Sequence, residues 1–273
     1  MMALRRLFLI VIVVGLALPA LVPARAADQA PPPAEPGFIV TVGAEGRFQP
    51  RYLGADDHVL RPYPILSWRR AGTPARFRSP RDGFGLALLD TGTLAIGPVG
   101  QLVWRRKESA SPALRGLGDV GATVELGAFL DYWAAPWLRG RVELRNGLGG
   151  HHGLLADFAI DAAYPLAPQW TLSGGPRARI ASGATVSPYF DVTPAQAAAS
   201  GLPVFDAGGG VQSLGAGAQA RYQLSPAWAT HVFIEYDRLL GDTADSPLVA
   251  LRGSANQLTV GAGLTYSFDL GWR

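Results

Sequence analysis

His231, Glu235 and Asp237 sit at odd-numbered positions of one alternating segment, which puts all three on one face of a strand. They are the one grouping in the chain with the makings of an acid–base site, since imidazole and carboxylate can pass a proton between them. No nucleophile accompanies them, so lumen packing is the preferred reading. His151 and His152 stand in a Gly-rich stretch. Adjacent histidines rarely converge on one metal without further ligands, and a solvated turn is expected. Asp56-Asp57-His58 could hold a cation, but Asx residues in turns usually bond their own backbone. The chain has no cysteine, hence no disulfide and no thiolate site. It has no Gly-x-Ser-x-Gly, no His-Glu-x-x-His and no phosphate-binding loop ending in Lys-Ser/Thr. Gly215-x-Gly217-x-x-Ala220 lies inside an alternating strand with no helix after it, so it is no dinucleotide fingerprint. These residues point away from an enzyme, and they imply no cofactor or metal.

The charges that recur most regularly are arranged by segment. One offers Asp119, Glu125 and Asp131, the next Arg139, Arg141 and Arg145, the next Asp157 and Asp161, and the next Arg177 and Arg179. A hairpin turning at Ala134 and Ala135 would set Asp131 opposite Arg139 and Glu125 opposite Arg145. The following pair would set Arg141 opposite Asp161 and Arg145 opposite Asp157. Facing opposite charges stabilise a sheet by a few tenths to about 1 kcal/mol each. As a pore wall, an even mixture of signs selects poorly. A register-setting ladder that fills the interior is the better reading.

What must position these charges is a set of strands with one apolar and one polar face. Val120, Ala122, Val124, Leu126, Ala128 and Leu130 alternate with Asp119, Thr123, Glu125 and Asp131. Leu258, Val260, Ala262, Leu264, Tyr266 and Phe268 do the same against small and polar residues. The pattern repeats in roughly twelve segments, at roughly 38–48, 59–69, 75–79, 83–89, 93–105, 119–132, 137–147, 154–164, 169–181, 211–224, 228–239 and 256–268. Such repetition is the signature of an all-β, closed antiparallel transmembrane β-barrel, with lipid outside and a polar lumen. With the N-terminus in the periplasm, short connections fall on the periplasmic side and most long ones outside. Trp68, Trp170, Trp228, Tyr266 and Phe268 then lie near the periplasmic rim on the lipid-facing parity, and Trp104 near the external rim. In the longest loop, Thr193-Pro194 followed by Ala195 to Ala199 and Gly201 predicts a short capped helix.

Arg5 and Arg6, an apolar run from Leu7 to Leu18 and Ala24-Arg25-Ala26 read as a signal peptide over 1–26. A Pro-rich segment over 27–37 follows, then the barrel over 38–273. Cleavage would remove Arg5, Arg6 and Arg25 from the 24 basic residues, leaving as many as the 21 acidic ones. The pI is therefore no argument for a nucleic-acid partner.

At several of these segments the chain resembles the MltA-interacting protein (MipA/OmpV) family of Gram-negative outer membranes. The likeness rests on Tyr52 to Asp57, Pro62-Tyr-Pro64, Gly116 to Gly127, Gly147 to Leu154, Tyr189 to Pro203 and Leu239 to Pro247. The resemblance implies an outer-membrane barrel without enzymatic activity, in contact with outer-membrane lipid. It further implies a scaffold joining murein-remodelling enzymes, or surface adhesion; the polar parity of the lumen offers small-solute passage as another alternative. Family barrels commonly end on an aromatic residue; here Asp269 to Arg273 follow Phe268.

Overall fold

The computed structural model describes residues 37–73 and 75–271; the expected signal peptide, most of the Pro-rich segment and Trp272 lie outside the described residues. Ten long strands form in order: β1 (Gly37–Pro50), β2 (His58–Arg70), β5 (Leu94–Val103), β6 (Thr123–Ala135), β7 (Leu138–Gly149), β8 (Leu154–Ala167), β9 (Trp170–Ala181), β10 (Gly210–Gln223), β11 (Trp228–Leu239) and β12 (Asn256–Gly271). Two short pieces, β3 (Phe84–Gly85) and β4 (Leu89–Asp90), both pair with β5. All ladders are antiparallel, and the sheet runs β2-β1-β12-β11-β10-β9-β8-β7-β6-β5-β3. No helix among the described residues is long and apolar enough to cross a membrane.

Alternation dictates the two faces. Large apolar residues exposed on the strands are even-numbered almost throughout: Leu60, Leu66, Val124, Leu126, Leu144, Phe158, Ile160, Val232 and Leu264 among them. Buried polar residues on the strands are mostly odd-numbered, from Glu45 and Thr123 through Arg139, Arg145 and Asp161 to His231 and Gln257. A single parity survives every hairpin because irregular turns are corrected by bulges. Val211 is exposed out of phase, and a bulge between Val211 and Ser213 restores the count.

The expected strand over 75–79 does not form. On the common parity its Arg76 and Arg78 would face lipid, and an arginine near the bilayer midplane costs about 2–4 kcal/mol. The segment Ala75–Gly83 instead turns into the lumen as a strap. β3 and β4 lie end to end beside β5 and supply one broken strand where 83–89 was expected. The expected number of strands, twelve, is present, but they occupy eleven positions around the wall, and eleven cannot all alternate in direction around a ring. β2 and β3 consequently run the same way, and among the described residues no ladder joins them.

The structure manages this seam chemically. The β2 backbone groups that face it belong to even-numbered residues, since Ala71 donates to Gly37 on the other side. Pro62 and Pro64 occupy two of those positions and have no N–H to leave unpaired. The Leu66 carbonyl accepts from Arg78 Nη1 at 3.2 Å, and Arg78 Nη2 reaches the Gly83 carbonyl at 2.6 Å. One guanidinium thus bridges the two unpaired edges.

At the long-loop end the connections fold into a cap. It holds helices α1 (Gly183–Phe190), α2 (Pro194–Ser200), α3 (Gly241–Asp245) and α4 (Pro247–Arg252). α2 is the helix expected in this loop. Thr193 and Gln196 form a reciprocal capping box, and Gly201 closes it with φ 74°. Two apolar clusters knit the cap, one around Val186, Phe190, Leu239 and Val249, the other around Leu114, Leu117, Val192, Leu202 and Leu248. Arg252 donates to the carbonyls of Ala113 and Ser200, and Ser254 N donates to the Gly54 carbonyl. Loops from opposite sides of the barrel meet, so the cap crosses the mouth.

Candidate functional site

The lumen is where the polar side chains converge. Arg139 and Arg145 are among the largest fully buried side chains of the described residues. Arg139 bonds Asp161 at 2.7 Å and Asp82 at 2.7 Å. Arg141 bonds Asp131 and Glu143, each at 2.8 Å. Arg145 reaches Glu125 at 3.0 Å, Asp157 at 2.5 Å and Glu143. Asp161 also takes Arg177 at 2.5 Å, and Asp157 takes Arg179 at 2.7 Å. Burying one ion costs several kcal/mol, and the network offsets this by giving most of these charges two or more partners.

The register differs from expectation by two residues. Asp131 faces Arg141 and Arg139 faces Trp133, while across β7 and β8 Arg139 faces Asp161 and Glu143 faces Asp157. Arg141 faces Ala159, so the expected Arg141–Asp161 pair is absent. For β6 and β7 the cause is the turn: Pro136 and Trp137 form it rather than Ala134 and Ala135, and a bulge between Trp133 and Ala135 returns the acids to the lumen. The Arg145 pairs with Glu125 and Asp157 form diagonally. Asp119 is not in the ladder. β6 starts only at Thr123, and Asp119 lies exposed in the cap loop, accepting from Glu108 N at 2.7 Å.

Alternation alone did not reveal that the strap enters this network. Asp82 meets Arg139 and, at 3.6 Å, Arg141. Arg81 meets Asp237 at 2.7 Å and Asp157 at 3.5 Å. Gly83 N donates to Glu143 at 3.0 Å, Arg177 reaches Ser79, and Arg47 reaches the Pro80 carbonyl. The Phe77 ring lies 4.8 Å from the Arg139 guanidinium. The Pro80-Arg81-Asp82 sequence was a legible turn signal, but its location inside the barrel was not. One cavity of about 10 Å³ lies between Ser79, Pro80, Ser173, Arg177 and Glu235, and one of about 20 Å³ beside Arg81 and Asp157. Each holds about one water.

The candidate acid–base group disperses. His231 Nε2 lies 2.9 Å from Glu45, Asp237 serves Arg81, and Glu235 lines the cavity. The inward Gly263 leaves room for the His231 ring, which a Cβ there would strike. His151 is buried rather than solvated, with Nε2 3.1 Å from Glu125, while His152 is exposed. It can lie there because Gly147 has no Cβ to meet the imidazole. In the first cap loop Asp57 pairs with Arg51 at 2.5 Å, and His58 bonds the Leu258 carbonyl. Among the described residues no three His, Asp or Glu side chains are placed to hold a metal. Within the cap, Arg106 donates to the Tyr189 carbonyl; burial pushes its guanidinium below the ordinary arginine range and the Tyr52 and Tyr189 phenols above theirs.

Outside, Trp68, Trp170, Trp228 and Tyr266 are exposed on the lipid-facing parity, and Trp104 stands just past β5. Trp170 packs on Tyr222, Trp228 on Tyr266, and Tyr266 stacks on Phe268. Tyr132 and Tyr164 join the same rim and carry the same even parity that marked the others.

The family model of the MltA-interacting protein MipA matches residues 42–268. This chain belongs to that family. The MipA match spans β1 to β12 and takes in both the strap and the cap. Among solved structures, an outer-membrane channel from Pseudomonas putida F1 is 13% identical with a TM-score of 0.43, covering 88% of this chain and 100% of its own. The KdgM porin is 10% identical with a TM-score of 0.42, covering 84% and 99%. Likeness at that level says nothing of what a MipA chain binds or passes. No curated relative matches. The protein is an outer-membrane β-barrel of a Gram-negative envelope, in contact with lipid along its even-numbered face.

Proposed function

We propose that the protein is a non-enzymatic scaffold of the outer membrane that contacts murein-remodelling enzymes, and that in its resting form it passes no solute. The observation that carries this reading is the stoppered lumen. An ion-paired strap crosses it, water-sized cavities are left beside the strap, and a cap with its own apolar core covers the external mouth. Two of the acid–base residues, His231 and Asp237, are held in separate pairs and Glu235 is apart from both, which supports a chain without catalysis. The family description, MltA-interacting protein, supports a murein enzyme as the partner. The surface available to it is the short-turn end, where Arg70 and Trp137 are exposed. The test is capture from envelope extract, together with planar-bilayer recording. Murein enzymes are expected to be retained and no steady conductance to appear. Captures that never hold a murein enzyme would remove the scaffold reading, and reproducible single-channel steps would replace it with a channel.

Surface adhesion is a second reading, favoured by Val204 and Leu251, which stand 60% and 67% exposed on the cap. Their replacement by Ser would lower attachment of cells to a hydrophobic surface if adhesion is the role.

A further inference from the structure

The strap is attached to the barrel in an unusual way. Its tip contacts the wall through side chains, with no backbone ladder between Ala75 and Gly83 and any strand. Ser79-Pro80-Arg81-Asp82 closes on itself instead. Asp82 N donates to the Ser79 carbonyl, Ser79 N to the Asp82 carboxylate at 2.9 Å, and Arg81 N to Ser79 Oγ. The tip is a preformed turn whose Ser79, Arg81 and Asp82 N–H groups are satisfied internally, while its Pro80 carbonyl accepts from Arg47 of the wall.

The wall, for its part, depends little on the tip. Without Asp82, Arg139 keeps Asp161 and Arg141 keeps Asp131 and Glu143. Without Arg81, Asp157 keeps Arg145 and Arg179. Without Ser79, Arg177 keeps Asp161. Asp237 alone loses its ion pair, and it retains a 3.5 Å contact with Ser213. A buried charge stripped of every partner would forbid departure. Here nearly every lumen charge that the strap touches has a second partner on the wall.

Departure has one direction. The external side is closed by the cap; the strap's second end joins β3 beside Gly100, part-way up β5, and its first end lies at the short-turn end. There Arg76 bonds the Gly92 carbonyl at 2.6 Å and faces Asp90, and Gly72 turns the chain with φ 81°. Joining the wall as a strand is barred by the outward parity of Arg76 and Arg78 and by the missing N–H groups of Pro62 and Pro64.

We propose that Ala75–Gly83 is a displaceable internal plug, which withdraws toward the periplasmic end and opens the barrel lumen on that side while the cap stays folded. The wall charges rearrange among themselves, and the tip leaves as an intact turn.

Because the chain has no cysteine, single thiols report the motion directly. Ser173, on the wall behind the tip, is 9% exposed; Ser246, in the cap, is 0% exposed. Ser173→Cys and Ser246→Cys are each exposed to a charged methanethiosulfonate in the otherwise unaltered barrel and in Arg81→Gln/Asp82→Asn. Labelling of Ser173→Cys is expected to run to completion in the unaltered barrel while Ser246→Cys stays protected. In the double variant Ser173→Cys should react at least tenfold faster, with Ser246→Cys unchanged. Equal protection of both thiols in the unaltered barrel would overturn the proposal, whether or not the double variant folds. Parallel acceleration of both would overturn it as well, because that reports general loosening.

Discussion

Arg139 and Arg179 are both lumen arginines bonded to aspartate, yet their surroundings separate them. The Arg139 side chain is 2% exposed and is the bridge between Asp82 and the fully buried Asp161. The Arg179 side chain is 22% exposed, and its partner Asp157 also has Arg145 and Arg81. Removing one member of a buried pair costs about 3–5 kcal/mol. Arg139→Ala should reach that range in denaturant unfolding from lipid vesicles, and Arg179→Ala should stay near about 1.5–3 kcal/mol, the worth of hydrogen bonds to a charged group. Equal losses would mean that burial does not govern the ladder. The observed register makes a second prediction. Arg141→Glu should be partly rescued by Asp131→Arg, which faces it, and not by Asp161→Arg. Residue types and the face they occupy were legible in the sequence for all of these positions except Asp119. Partners were not, because a turn at Pro136 and Trp137, adjoined by a one-residue bulge, sets the β6–β7 pairing two residues from the expected one without changing parity, and alternation records parity alone.

Elements were readable where the signal is local. Thr193, Pro194, Gln196 and Gly201 specify α2 almost by themselves, and the cap loop contains it. Thr193→Ala deletes half of the capping box and should cost about 1 kcal/mol. That loss should show as faster proteolysis within 182–209, with the barrel's melting unchanged. The strap was misread for the opposite reason. Its residues alternate well enough to pass for a strand over five positions. What rejects them from the wall is the parity of the other strands, a property no single window contains. The seam that results can be probed. Arg78→Met leaves the Leu66 and Gly83 carbonyls without their guanidinium. An unsatisfied buried polar group costs about 1–3 kcal/mol. The variant should therefore unfold at lower denaturant, whereas Arg70→Met, exposed at the end of β2, should not.

For the molecule as a whole, two global conditions explain both what the sequence announced and what it withheld. Hydrocarbon outside requires one apolar face on every strand, and that requirement is written into each segment, so the barrel class is legible from end to end. Closure is a condition on the ring, not on any strand. Eleven positions force one parallel, unladdered seam, and the chain meets it with two prolines, one arginine and an inward strap drawn from places that give no local hint of a common purpose. The first condition has a graded consequence. An arginine on the lipid face costs about 2–4 kcal/mol near the bilayer midplane and falls to about 0–1 kcal/mol near an interface. Leu144 lies in the middle of β7 and Leu166 at the short-turn end of β8, and they are similarly exposed, at 53% and 62%. Leu144→Arg should therefore destabilise the barrel by about 2–4 kcal/mol in vesicles and Leu166→Arg by about 1 kcal/mol or less. In a detergent micelle, which has no fixed midplane, the difference should shrink. Identical costs in vesicles would contradict a membrane gradient along the even-numbered face, and with it the assignment of the short turns to one interface and the cap to the other.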